Sequence, residues 1–267
     1  MHYACTTKHI LSIRLMPGGF SFSIHNPSDA ADFFFAQIKK ESKQSMMQCM
    51  EEALEQYPNL CYPFDKIFII VAGERFVQMP TLLATDMATS EAAYKCALSE
   101  VEEVEEILTN ERESILTIFG LNRQLYYFLK RTFQACHFVH HTHLLCHYFE
   151  HRAKLGNFDK EICLIHEQAI DVLVFKHGKL HLVNHLMSAQ PNDMAYYVLA
   201  IWQQTHLLKE RDYLQYHSST EQGPLVINQV TPYLKQVTPL VIPQDSIAFA
   251  TQHPDAPFDL IVLPLCV

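Results

Sequence analysis

Six histidines and two cysteines lie between residues 136 and 151, and these side chains have the clearest potential for chemistry. Imidazole and thiolate groups bind zinc when local structure brings several of them together. Residues 137–140 alternate as a strand does, and Thr142 is a typical helix cap. The histidines inside the predicted helix share one face and are weak candidate metal ligands: His143, His147 and His151. No HExxH motif accompanies them, so the pattern favours a non-metal interpretation and no metal is predicted.

Motifs of the common hydrolases and nucleotide-binding proteins are missing from the sequence, which contains no GxSxG, GxxxxGK[ST] or GxGxxG. Phosphate-cradling loops need several glycines close together, yet the chain has seven glycines in 267 residues and only Gly18 and Gly19 are adjacent. Asp171 stands alone inside an apolar run, either as a site carboxylate or on the solvent face of a strand. The strand pattern favours the solvent-exposed position for it.

Composition is that of a folded protein, with 49% hydrophobic and 18% charged residues. The formal charge of −9 argues against a nucleic-acid surface. No apolar run reaches the roughly 20 residues of a membrane helix, and the N-terminus lacks a signal-peptide pattern, so a cytoplasmic protein without a membrane span is expected. The eight cysteines form no CxxC pair, which favours free buried thiols.

The segment 161–185 is the best strand-turn-strand signal in the chain, since two apolar runs flank Lys176-His177-Gly178. A weaker copy near the N-terminus has strands at 10–15 and 20–24 around a Pro-Gly-Gly turn. These repeated hairpins suggest a duplicated α/β unit. We place the boundary near residue 157, giving domains 1–157 and 158–267.

Other elements follow from periodicity and caps. Helices are predicted at 45–57, 122–133, 142–154, 191–205 and 219–235, with a short helix after Asp29 through Phe35. Strands are predicted at 66–72, 75–79, 114–120, 135–141, 212–217, 237–242 and 259–265. The segment 99–113 holds seven glutamates and is interpreted as a solvated helix or loop, the alternative being an acidic docking surface.

The hairpin patterns carry a resemblance to a known family. The segments LSIRLMPGGFSFSI, FIIVAGERFVQMP, HFVHHTHLLCHYFE, VFKHGKLHLVNH and YYVLAIWQQ are similar to an uncharacterised Bacteroidetes family with the actin-like ATPase fold. The second hairpin also resembles that of the pilus-assembly actin-like protein. The resemblance implies an α/β fold of two duplicated actin-like (ribonuclease H-like) lobes. Each lobe would be a mixed sheet that opens with a three-strand meander and is flanked by helices.

The same resemblance implies that the nucleotide site has degenerated. Active relatives carry Asp-x-Gly in both hairpins, but here Arg14 and Met16 take those positions in the first, and Leu164-Ile165-His166 stands in the second. No counterpart of the adenosine-contacting Gly-Gly pair is found in 220–260. Without the carboxylates, magnesium-assisted phosphoryl transfer loses its support, so no cofactor is predicted and ATP with magnesium is not expected.

Three functional hypotheses remain. The first is a non-catalytic actin-like scaffold that binds a partner protein or peptide. The second is a divergent nucleotide-binding protein or ATPase that uses the inter-lobe cleft, with candidate residues Arg14, Gly18, Gly19, His166 and Glu167. The third is a histidine-based metal protein.

Overall fold

The computed structural model describes residues 8–99, 104–154 and 159–266. The chain divides into two compact units, Met1–His143 and Leu144–Val267. The boundary predicted near residue 157 lies outside the described residues. Among the described residues, no helix is long and apolar enough to cross a membrane.

The first unit is built around a five-stranded mixed sheet with the strand order β3-β2-β1-β4-β8. Its strands are β1 (Ile10–Met16), β2 (Gly19–Asn26), β3 (Asp29–Lys39), β4 (Lys66–Val71) and β8 (His137–His140). A second sheet, ordered β5-β7-β6, is inserted between β4 and β8. It contains β5 (Phe76–Pro80), β6 (Glu105–Arg112) and β7 (Ile115–Asn122). The helices are α1 (Met46–Gln56), α2 (Met87–Ala97) and α3 (Arg123–Thr132), and a fourth helix, α4 (His141–Ala153), begins in this unit and continues into the second.

Apolar and polar side chains alternate along β1 and β2, and the apolar face forms the core of the first unit. Leu11, Ile13 and Leu15 pack with residues of β2, α1 and α3 in one apolar cluster. The helices that cover this face begin at predicted caps, because Ser45 forms a capping box with Gln48 and Asn122 accepts from the Leu125 N–H. The opposite face of the same strands is also buried but carries polar side chains.

Two predictions for the first unit were wrong. Residues 29–35 form strand β3 rather than a short helix, because the successive phenylalanines can bury on both faces of a strand paired with β2. Within 99–113, residues 105–112 form strand β6, whose full length pairs with β7. Two of its glutamates, Glu105 and Glu106, form ion pairs with Arg75 and Arg123, which favours their place in a strand. Residues 100–103 lie outside the described part of the chain.

The second unit repeats the first sheet, with the strand order β11-β10-β9-β12-β13. Its strands are β9 (Lys160–Ile165), β10 (Ala169–Lys176), β11 (Lys179–Met187), β12 (Tyr213–Ser218) and β13 (Val237–Pro239). Its helices are α5 (Pro191–Gln204), α6 (Gly223–Val230), α7 (Ile247–Gln252) and α8 (Phe258–Val262). In both units an antiparallel meander is extended by parallel strands, so the predicted duplicated α/β architecture is confirmed.

The C-terminal segment differs from the prediction of a strand at 259–265. Residues 258–262 form α8 instead, because Pro257 begins the helix and the Phe258 ring stacks on Phe149 with centroids 5.3 Å apart. The described cysteines are free thiols, as expected, although Cys61 and Cys96 are exposed rather than buried.

Candidate functional site

In the first hairpin, Arg14 lies inside the sheet. It pairs with Ser21 across β1 and β2, and only 3% of it is exposed, so it is a buried residue of the sheet. Ser12 and Ser21 share its face of the hairpin, and the hydroxyl oxygens of these two serines are buried without hydrogen-bond partners. Arg14 and these hydroxyls form a buried polar strip that the sequence did not predict.

Gly18 and Gly19 form the β1–β2 turn and lie outside that strip. Gly19 has φ +143, and a Cβ there would collide with the backbone carbonyl oxygen of Ile38 on the neighbouring strand β3. The positive φ and the close approach of the β3 backbone explain why residue 19 is glycine, and no bound ligand is needed to explain it.

Gly19→Ala is expected to destabilise the first unit by about 1–3 kcal/mol, since alanine would combine a strained backbone with a clash against β3. Differential scanning calorimetry measures the effect. Gly18→Ala is the matched control, because nothing lies within 4 Å of a Cβ at that position, and we expect it to stay within about 0.5 kcal/mol of wild type. Equal stability of the two variants would contradict the turn assignment.

In the second hairpin, Leu164 and Ile165 are buried in β9, and His166 follows the strand. Glu167 is exposed in the turn. Of the two candidate residues in this unit, His166 and Glu167, the structure places His166 in a cluster of polar side chains.

That cluster is centred on Asp171, which is 0% exposed on β10. One carboxylate oxygen lies 2.7 Å from Nε2 of His166 and the other 2.6 Å from Nδ1 of His185. Two strands and a turn therefore supply a histidine–carboxylate–histidine chain. The sequence pattern favoured a solvent-facing Asp171, and this prediction was wrong. The carboxylate can be buried because His166 and His185 bond to its two oxygens.

The end of β12 and the residues that follow it add further polar groups to this unit. Burial and the neighbouring His166 lower the pKa of His217 to about 4, so its ring is neutral at pH 7. Buried polar atoms without hydrogen-bond partners follow in the same segment: His217 Nε2, Thr220 Oγ1 and Gln222 Oε1. Gly223 is the single glycine of residues 219–230. A Cβ at this position would collide with Ser218, so packing requires the glycine.

The three weak metal candidates on α4 do not converge. His147 and His151 are exposed and His143 is half-buried. Residues eight apart on a helix are separated by about 12 Å along its axis, so His143 and His151 cannot bind the same ion. This geometry leaves at most a pair of ligands on the helix, and a structural zinc site needs four.

The inserted sheet carries a groove that sequence analysis missed, since its strand β6 was interpreted as a helix or loop. The groove has a volume of about 460 Å³ and lies between α2 and β6. Met87, Tyr94 and Leu98 line one side, and residues 104–107 line the other. The only available sequence signal was the apolar pair Ile107-Leu108 inside the glutamate-rich segment.

A polar network fixes the walls of the groove. Arg75 donates through Nε and Nη2 to the two carboxylate oxygens of Glu105, each at 3.0 Å. The Tyr94 hydroxyl donates to Glu105 Oε2, also at 3.0 Å. Burial and the Glu105 charge raise the pKa of Tyr94 to about 12, so the hydroxyl keeps its proton at pH 7.

Comparisons with known proteins agree with this architecture. Residues 3–237 match the family described as "Protein of unknown function (DUF3822)". A protein from Bacteroides thetaiotaomicron VPI-5482 with an actin-like ATPase fold and unknown function is 25% identical, with a TM-score of 0.82, covering 98% of this chain and 97% of its own. A chain of the PilM-PilN type IV pilus biogenesis complex is 11% identical, with a TM-score of 0.55 and 98% coverage of both chains. No curated protein matches. The fold is therefore the predicted actin-like ATPase fold.

Proposed function

The chain belongs to the DUF3822 family of proteins of unknown function, and from that premise we propose that it is a non-catalytic actin-like scaffold that binds another protein. The observation that carries the proposal is the chemistry of the two hairpins. Arg14 and Leu164 stand where active actin-like ATPases carry aspartate, and both are buried in their sheets. Neither side chain offers an oxygen to magnesium, and phosphoryl transfer depends on that metal to neutralise the developing charge.

Backbone support for phosphate is also reduced. Close packing already explains two glycines: Gly19 lies against the backbone of β3, and Gly223 lies against Ser218. Strand β12 ends in a histidine and a serine, His217 and Ser218, and no adjacent glycines follow it in residues 219–223. Backbone donors that cradle phosphate require a more open, glycine-rich loop than this segment provides.

The competing candidate, a divergent nucleotide-binding protein, draws on one specific observation in each unit. Arg14 lies beside serine hydroxyls without hydrogen-bond partners, and a guanidinium can bind phosphate. Asp171 pairs directly across from Leu164, so a carboxylate survives on the same face of the second hairpin. We rank this candidate second because both Asp171 oxygens are already engaged by His166 and His185.

Magnesium and ATP are expected to leave the melting temperature unchanged within about 1 °C at roughly 5 mM each, since only a ligand bound by the native state raises it. Differential scanning fluorimetry measures this, and ADP and GTP extend the comparison. A clear stabilisation would overturn the proposal. Asp171→Asn and Arg14→Lys would then show which hairpin holds the nucleotide, because the responsible variant would lose the stabilisation.

A further inference from the structure

The groove of the first unit has one wall made by a helix and one by a strand edge. On α2, the lining residues Met87, Glu91, Tyr94 and Leu98 recur at intervals of three or four, so they form one helical face. Opposite them, four consecutive residues, 104–107, line the groove. Side chains alternate between the faces of a strand, so a groove touched by four in succession must run along the edge of β6.

This edge of β6 presents backbone groups that β7 does not use. The Arg123 N–H donates to the Val104 carbonyl at 2.9 Å, which makes these residues a hydrogen-bonded pair. Such pairs alternate along an antiparallel ladder, so Glu105 and Ile107 direct their N–H and C=O groups away from β7. In the sheet of described residues β6 is an edge strand, and these groups face the groove.

Two side-chain hydrogen bonds agree with this assignment, because each is made to a carbonyl of β6 that faces away from β7. Nη2 of Arg123 reaches the Glu105 carbonyl at 3.4 Å, and Nδ2 of Asn110 donates to the Thr109 carbonyl at 3.0 Å. Asn110 also bonds to β8, through the Phe138 carbonyl and the His140 N–H. The distal half of the edge is therefore covered by β8, whereas in the described part of the chain the stretch 104–107 lines the groove.

The charges around the groove are already paired, whereas its apolar surface is exposed. The ion pairs at its rim are Arg75–Glu105, Lys95–Glu91 and Arg123–Glu106. Met87 is 50% exposed and Val104 62% exposed. An occupant therefore gains little from carrying charge, and it gains most from backbone hydrogen bonds and from apolar side chains.

We propose that an extended, mainly apolar peptide segment of a partner protein binds in this groove by adding a strand to the edge of β6. Strand addition satisfies the outward N–H groups of Glu105 and Ile107 and the outward C=O group of Ile107, and alternate side chains of the peptide pack on the α2 face. The proposal rests on the protein-binding function proposed above and specifies its site and the form of its partner.

Two other occupants fit the same surface less well. A second copy of the chain would pair β6 with β6, but the open stretch spans only four residues because Asn110 connects the rest to β8. A small charged ligand would have to break an existing ion pair, such as Arg75–Glu105, to gain a contact.

The test selects linear peptides of about twelve residues from a random phage-displayed library against the full chain and measures the affinity of synthetic copies by fluorescence polarisation. Ile107→Pro removes an outward N–H and is tolerated on an edge strand, because that N–H does not bond β7. Met87→Glu places a charge on the apolar wall, at a helix N-terminus where glutamate is favourable. Leu82→Glu is the matched control, since Leu82 is 89% exposed and does not line the groove.

We expect Ile107→Pro and Met87→Glu each to weaken the selected peptides at least about tenfold, with Leu82→Glu within about twofold of wild type. Hydrogen exchange of the Ile107 amide should slow in the complex. Peptides that bind both groove variants as tightly as wild type would overturn the proposal, and so would a selection with no peptide tighter than about 100 µM. Stabilisation by magnesium and ATP would instead overturn the scaffold function without bearing on the groove.

Discussion

Asp171→Ala is expected to lower the free energy of unfolding of the second unit by about 3 kcal/mol, because it leaves two largely buried imidazoles without their shared acceptor. The corresponding fall in melting temperature is roughly 6–12 °C. Urea unfolding followed by tryptophan fluorescence measures it. Trp202 is the single tryptophan of the chain and lies in the core of the second unit, so its emission reports on that unit.

Two variants make this test specific. Asp255→Ala removes an exposed aspartate from the same unit and should change stability by less than about 0.5 kcal/mol. Asp171→Asn retains one acceptor oxygen and should fall between wild type and alanine. If Asp171→Ala were as stable as Asp255→Ala, the histidine–carboxylate–histidine chain would not hold the second hairpin together.

Glu161→Met is expected to raise the free energy of unfolding by about 2 kcal/mol at pH 7, because Glu161 is 0% exposed and neither carboxyl oxygen has a hydrogen-bond partner. Its neighbours in register are Val174 and Leu214, and its face of β9 continues through Cys163 into the apolar core of the unit. Methionine is similar in size and buries no polar atom. The same fluorescence measurement applies.

The pH dependence of this effect follows from the pKa of Glu161, which burial raises well above the usual glutamate value of 4.5. Below pH 4.5 the carboxyl is protonated in both states and adds no pH dependence. As the pH rises further, the unfolded chain releases the proton while the folded chain keeps it, so the unfolding free energy falls. The fall continues until the folded carboxyl ionises, with a limiting slope of about 1.4 kcal/mol per pH unit.

Glu161→Gln isolates this titration because glutamine has the same shape and does not ionise. The difference in unfolding free energy between Glu161→Gln and wild type should therefore grow as the pH rises from 5 to 8, while other titrations cancel. Glu221→Gln removes an exposed glutamate of the same unit and should run parallel to wild type. Parallel profiles for wild type and Glu161→Gln would mean that Glu161 is ionised in the folded protein.

Local chemistry in the sequence was sufficient for much of the fold. Gly19 begins β2 and Gly178 lies in the turn before β11, both with positive φ, and period-two apolar runs on either side specify the hairpins. The helix predicted at 45–57 forms and is capped by Ser45, and Asn122 caps its helix as predicted, because a side-chain oxygen can reach an N–H three residues further along the chain. These features depend on neighbours in the chain, so residue types and spacing determined them.

The predictions that were wrong concern residues whose environment comes from distant parts of the chain. Phe33 and Phe35 favour a strand only once β2 is beside them, and the glutamates of β6 are tolerated in a strand because Arg75 and Arg123 lie near them. Similarly, residues after Pro257 turn into a helix because the Phe258 ring packs against Phe149. Tertiary contacts here override local propensity.

For the candidate sites, the sequence by itself determined the residue types of the two hairpins, and through the resemblance to actin-like ATPases it predicted that the carboxylates and glycines of a phosphate site are missing. Only the tertiary structure decided that Asp171 is buried between two histidines and that one edge of β6 lies open beside α2. The physical reason is that burial and hydrogen-bond satisfaction depend on pairs of residues, whereas a sequence pattern specifies only single positions and their spacing. Asp171 and His185 are 14 residues apart and meet because β10 and β11 pair in one register.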